Sequence, residues 1–151
     1  MMPQEYGYPN VHLPAIKPYY SQSMEKGIQI RLAKQKDAEA IREIYNHEVR
    51  NSTATFDLVE RTTQEQEEWL DERSGAFSVL VAEMSGQILG FASLSPYKSR
   101  AAYRTTVEDS IYINEKFRNQ GIAGELLSHL LEVAESSGIH AVIARIGGAN
   151  E

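Results

Sequence analysis

Apolar and polar positions change period several times along the chain, and each change marks an element. Ile28, Ile30 and Leu32 alternate with Gln29 and Arg31, as in a half-buried strand. After Asp37, placed to cap a helix, Ala38, Ile41, Ile44, Tyr45 and Val49 recur at helical spacing. A polar loop from Asn51 leads to Thr62, and Glu65 completes the form of a capping box ahead of a short helix with Trp69 and Leu70. The runs Phe77 to Glu83 and Ile88 to Ser95 flank Met84-Ser85-Gly86-Gln87 and predict a hairpin. Beyond a loop with Pro96, Lys98 and Arg100, the β-branched run from Arg104 to Ile113 predicts another strand. Ala123, Leu126, Leu127, Leu130, Leu131 and Ala134 give a strongly amphipathic helix that Gly138 can end. His129 is placed on its polar side, and His47 near a helix end where capping is a sufficient role. Ala141 to Ile146 reads as a last, buried strand.

The order is strand, helix, helix, three strands, helix, strand, which predicts an α/β (α+β) sandwich. Ahead of it, Met1 to Ser23 carries Pro3, Pro9, Pro14 and Pro18 among four tyrosines and shows no periodicity. We expect residues 1–24 to be a poorly ordered extension and residues 25–151 a single domain. With 151 residues, 42% of them hydrophobic, there is enough for one core. The net charge of −6, without a basic run, disfavours nucleic-acid partners. The absence of cysteine removes disulfides, thiolate metal sites and a cysteine nucleophile, and fits a reducing cytoplasm. No apolar stretch approaches the roughly 20 residues that cross a bilayer, so a soluble protein without membrane partners is expected. No spacing of His, Asp and Glu suggests a metal site.

The segment Arg118-Asn119-Gln120-Gly121-Ile122-Ala123-Gly124 joins a strand to the long helix. Glycines at such a junction let the backbone turn tightly, so that unpaired amides and the positive end of the helix dipole face a phosphate. Neither the P-loop pattern nor the Rossmann glycine pattern is present. On spacing alone, a glycine-softened helix start with no ligand stays open.

The loop resembles the coenzyme A pyrophosphate loop of the GNAT (GCN5-related) N-acetyltransferases, [QR]-x-x-G-x-[GA], with Arg118, Gly121 and Ala123 on its defining positions. Further segments are similar to the phosphinothricin and methionine sulfone acetyltransferase branch. They are Ile44-Tyr45-Asn46-His47, Asn51 to Phe56, Gly90-Phe91-Ala92-Ser93-Leu94, Tyr103-Arg104 and Thr106 to Ile113. The resemblance runs from about Ile28 to the last residue.

It implies a GNAT fold with a mixed, mostly antiparallel central sheet flanked by helices, and acetyl-CoA as cosubstrate. It also implies a small-molecule amine as acceptor and a homodimer. Glu108 takes the position of the general base, since an alkyl ammonium must lose a proton before its nitrogen attacks a thioester; a solvent-facing strand carboxylate is the plainer alternative. Ile111, Tyr112 and Ile113 fall on the strand that pairs with the pantetheine arm. Arg118, Asn119, Gln120, Gly121, Ile122, Ala123 and Gly124 fall on the pyrophosphate loop, and Asn150 on an asparagine that contacts coenzyme A. Phe56, Tyr103, Arg104 and Thr106 correspond to the acceptor pocket. Arg104 suits a carboxylate or phosphinate, or is a surface arginine with no specific contact. Family members continue beyond the strand at Ile143 with a helix and two more strands, so the sequence as given reads as C-terminally truncated. An impaired or non-catalytic coenzyme A binding module is the alternative that this raises, and a protein N-terminus or polyamine is the alternative acceptor.

Overall fold

The computed structural model of the chain describes residues 26–147. Its elements follow the predicted order. They are β1 (Gln29–Leu32), α1 (Ala38–Asn51), α2 (Thr63–Asp71), β2 (Leu80–Met84), β3 (Gln87–Pro96), β4 (Thr106–Ile113), α3 (Ile122–Ser136) and β5 (Ala141–Ile143). The extension over residues 1–24 and Asn150 lie outside the described residues.

The strands form one sheet in the order β1-β2-β3-β4-β5. Neighbours run antiparallel as far as β4, and β4 pairs with β5 in parallel. The expected mixed, mostly antiparallel sheet is therefore present. Its strands alternate between two apolar layers. Leu80, Ala82, Leu89, Ala92, Leu94 and Val107 pack under α3 with Ile122, Leu126, Leu130 and Val133. Val79, Val81, Ile88 and Phe91 pack on the other side against Ile41, Ile44 and Tyr45 of α1 and Leu70 of α2. Burying one face against each helical layer is what fixes the strand register, because a slip of one residue would exchange the two faces.

Local signals explain where elements begin and end. The β2–β3 turn places Ser85 (φ 50°) and Gly86 (φ 82°) in the left-handed region that a tight two-residue hairpin requires. Thr62 Oγ1 accepts from the Glu65 amide at 3.2 Å while Glu65 accepts from the Thr62 amide at 2.8 Å, which is the expected capping box. At the end of α3, the Ile139 amide bonds to the Ala134 carbonyl and the Gly138 amide to the Glu135 carbonyl, both at 3.0 Å. That paired closure is a Schellman motif built on Gly138. In β3 the pairing passes from Ile88 opposite Glu83 to Gly90 opposite Ala82, so Leu89 is the extra residue of a bulge.

Three details differ from the sequence reading. The Asp37 side chain does not cap α1; it accepts from the Lys34 amide at 2.7 Å and closes a single 3₁₀ turn ahead of the helix. His129 is buried, 5% exposed, because its Nδ1 hydrogen-bonds back to the Glu125 carbonyl at 2.8 Å and lets the ring turn inward. The last strand ends at Ile143 and not at Ile146, since only Ala141, Val142 and Ile143 find partners on β4.

Asp37 also receives both Nη atoms of Arg31, at 2.7 and 3.0 Å, and Arg31 Nε reaches Glu83 on β2. Burial works against the Asp37 charge, but the hydrogen bonds from Arg31 and the Lys34 amide outweigh it and hold its pKa below the usual 3.8. A carboxylate with a lowered folded pKa contributes stability above its unfolded pKa and loses it as pH falls through the folded one. Asp37→Asn is therefore expected to destabilise the protein by about 2 kcal/mol at pH 7. The gap in melting temperature should narrow as the pH drops below the ordinary carboxylate range. Thermal melts from pH 7 downward check this, and a gap independent of pH would count against the ion pair as its cause.

Candidate active site

β4 is paired differently on its two sides. Toward β3 it is matched from Val107 to Ile113, whereas toward β5 only Thr106, Val107 and Glu108 have partners. From Asp109 to Ile113 that second edge has no strand beside it among the described residues. A cleft of about 540 Å³ opens there, bounded by Ile111, Tyr112 and Ile113 and ending at Gly121, Ile122 and Ala123. Arg118 and Asn119 complete that end of it. The structure thus brings together the strand and loop residues selected from sequence. Gln120 and Gly124 are exposed beside them at the start of α3.

The helix start is open. Gly121 is the N-cap in a left-handed conformation (φ 83°), and no side chain caps the helix. The first intrahelical bond runs from the Glu125 amide to the Gly121 carbonyl, which leaves the amides of Ile122, Ala123 and Gly124 ahead of it without a helical acceptor. Among the described residues nothing requires a glycine at position 124. A Cβ built on it meets nothing within 4 Å, and a helical glycine costs about 1 kcal/mol relative to alanine. Free amides, a positive helix end and a bare backbone together fit a pyrophosphate in close approach.

Glu48 went unnoticed in the sequence, although it falls on the apolar stripe of α1 one turn beyond Ile44 and Tyr45. It is 4% exposed, accepts from Ser52 Oγ at 2.6 Å and is gripped by Arg118 Nη2. A carboxylate on a core-facing stripe was the available signal. Through it, the C-terminal end of α1 fixes the arginine that opens the glycine loop. His47, one residue earlier, lies 3.3 Å from Glu115 and 3.3 Å from Asn51 Nδ2, at the outer side of α1.

Strand alternation sends Val107, Ile111 and Ile113 toward α3 and puts Thr106, Glu108, Ser110 and Tyr112 on the α1 and α2 face. The Glu108 carboxylate is largely covered and accepts from Arg145 Nη2 at 2.5 Å. Asp109 points the other way, and burial raises its pKa, with the neighbouring Glu108 charge adding to the effect. Burial also pushes the Tyr112 phenol up to about 12, with Tyr45 contributing. The acceptor residues expected from sequence are dispersed. Phe56 is 79% exposed on the loop between α1 and α2, Tyr103 packs edge-on against Tyr97 at 5.6 Å, and Arg104 is exposed at the end of a 3₁₀ turn. Thr106 shares the strand face of Glu108.

The model of the Acetyltransferase (GNAT) family matches residues 38–151. The chain belongs to the GNAT acetyltransferase family. It is 35% identical to a phosphinothricin N-acetyltransferase of Streptomyces viridochromogenes, over 82% of this chain and 68% of that protein. It is 34% identical to an L-methionine sulfoximine/L-methionine sulfone acetyltransferase of Salmonella typhimurium, over 80% of this chain and 71% of that one. Among solved structures, a GNAT phosphinothricin acetyltransferase from Sinorhizobium meliloti in complex with acetyl-CoA superposes with a TM-score of 0.76. That pair shares 34% identity over 82% of this chain and 68% of the other. The protein is accordingly an acetyl-CoA dependent N-acetyltransferase, and its open helix start and split strand pair fit that cosubstrate.

Gly124 separates helix stability from ligand approach. Gly124→Ala is expected to raise the melting temperature of the free protein by a few degrees, from about 1 kcal/mol of helix propensity. The same methyl group should weaken acetyl-CoA binding by about tenfold or more, or about 1.4 kcal/mol. Calorimetric titration beside a thermal melt checks both. A more stable variant with unchanged affinity would show that no phosphate comes close to this backbone.

Proposed function

We propose that this acetyltransferase acts on the primary amine of a small, amino-acid-like molecule of the phosphinothricin or methionine sulfone type. The observation that carries the reading is the parting of β5 from β4 beyond Glu108. It leaves one strand whose edge is free beside the loop and α3 and whose other face holds a carboxylate. The names of the relatives supply the acceptor class. Acetyl-CoA provides a thioester whose C–S bond breaks as the acceptor's N–C bond forms.

In this reading the backbone edge of Ile111, Tyr112 and Ile113 orients the pantetheine arm by strand-like pairing, and the amides from Asn119 to Gly124 hold the pyrophosphate. A free amide on the β4 edge suits the negative charge that develops on the carbonyl oxygen. Glu108 removes the proton of the acceptor ammonium, directly or through a water, and Arg145 keeps its carboxylate oriented until the substrate enters. The resemblance assigns Phe56, Tyr103, Arg104 and Thr106 to the acceptor, and of these Thr106 shares the strand face of Glu108. The lack of cysteine agrees with direct attack by the amine. The family resemblance extends the proposal to a homodimer, and the cysteine-free composition to a cytoplasmic one.

Glu108→Gln tests the assignment. Turnover on methionine sulfone is expected to fall on the order of a hundredfold, as removal of a general base typically costs. Acetyl-CoA affinity should stay nearly intact. Part of the loss should be recovered at high pH, where more of the amine is already neutral in solution. A variant with normal turnover and an unchanged pH profile would leave Glu108 as a strand carboxylate.

A further inference from the structure

On the sheet face that carries Glu108, a small pocket of about 90 Å³ receives two guanidinium groups. Arg61 lies over the Tyr45 ring at 3.8 Å and over Trp69 at 4.9 Å; Arg73 lies over Trp69 at 4.3 Å. Their hydrogen bonds go to neutral groups. Arg61 Nη1 donates to Gln66 Oε1 at 3.2 Å, and Arg73 Nη1 to the Leu94 carbonyl at 2.7 Å. Among the described residues neither arginine belongs to an ion pair. Asp57 bonds to the Tyr45 hydroxyl instead. Burial, with the nearby Arg61 charge adding to it and Glu72 opposing, lowers the Arg73 pKa to about 10. Two half-buried like charges that form no ion pair among the described residues are costly to hold together and are relieved when an anion joins them.

The pocket is built, not incidental. The Asn46 amide, 2% exposed, donates to the Arg61 carbonyl and accepts from the Arg61 amide, both at 2.9 Å, so α1 fixes the backbone from which Arg61 reaches in. Ser95 stands opposite Glu108 in the β3–β4 register, and its Oγ lies 3.5 Å from Arg73 Nη1 and Nη2. Ser95 thus connects the arginine pocket to the strand position paired with Glu108. A pocket of this size has room for a carboxylate-sized group.

We infer that Arg61 and Arg73 form an anion subsite that receives the carboxylate of the acceptor while its amine faces Glu108. The inference rests on the acetyl-transfer reading above and narrows it: the acceptor is an amino acid with a free carboxylate, not a simple amine or a polyamine. A planar guanidinium fork suits a carboxylate better than an ammonium would.

The test compares methionine sulfone with 3-(methylsulfonyl)propylamine, which is the same molecule without its carboxylate. Binding is measured by calorimetry on the full chain saturated with coenzyme A, and turnover by thiol release. The wild-type protein is expected to favour the amino acid by at least tenfold in both. Arg73→Gln and, separately, Arg61→Gln should erase that preference, mainly through KM, with coenzyme A affinity unchanged. Arg61→Gln keeps the test valid if loss of Arg73 from the Trp69 face unfolds the protein, which the melting temperature reports. Equal handling of the two compounds by the wild type would overturn the subsite while leaving the transferase intact, as would variants that lose both compounds in parallel. Failure to bind either would overturn the subsite as well, and acetylation of some other amine would then show that the broader reading survives. Absence of thiol release with every amine, despite selective binding of methionine sulfone, would sink the transfer reading and not the anion subsite.

Discussion

Everything in the site depends on the unequal pairing of β4. A strand satisfied on both sides has no spare backbone groups, and one free on a whole side is an exposed edge. Here the strand is anchored by β3 along Val107–Ile113 and by β5 only over Thr106, Val107 and Glu108. The backbone from Asp109 onward is therefore held rigid by one neighbour while its other side stays available. A ligand that supplies strand-like donors and acceptors completes the sheet without any side chain having to move.

In the proposed mechanism the same strand serves two substrates, because a strand has separate directions at its disposal. Its edge lies in the sheet plane, beside the loop that leads into α3. Its even-numbered side chains stand perpendicular to that plane, among α1, α2 and the two arginines of the small pocket. The pleat alone would then set a thioester and an amine side by side. Helix α1 supports both sides at once. Asn46 clasps the Arg61 backbone on the acceptor side, and Glu48 holds Arg118 beside the cleft.

Most of the fold was legible because its signals are local. The capping box at Thr62, the Ser85-Gly86 turn and the Gly138 helix end are decided within a few residues, and each formed as read. The strand ends were less legible: whether Arg145 and Ile146 extend β5 depends on what β4 offers across the sheet, not on their own side chains. For the site, the glycine loop and β4 announce themselves by motif. The proposed acceptor side does not: Arg61, Trp69 and Arg73 lie in one stretch around α2, and only its docking turns them onto the sheet face of Ser95 and Tyr112. Glu48 and His129 show the complementary difficulty. Polar residues on helices read as solvent-facing until a partner that appears only in the fold, Arg118 for one and a backbone carbonyl for the other, accounts for their burial.

Gly90 carries a consequence for how sequences of this shape can drift. It sits directly after the bulge in β3, opposite Ile113, where a Cβ would come within 2.6 Å of Ile113 Cδ1 and 2.8 Å of the Tyr112 carbonyl oxygen. The isoleucine tip can swing aside; the carbonyl is part of the strand bordering the cleft and cannot move alone. Any side chain at position 90 would thus be felt on the far side of β4, in the width of the cleft. Neutral variation should be plentiful on the outer helix surfaces and nearly absent at this buried position, which does not line the cleft and yet sets its width.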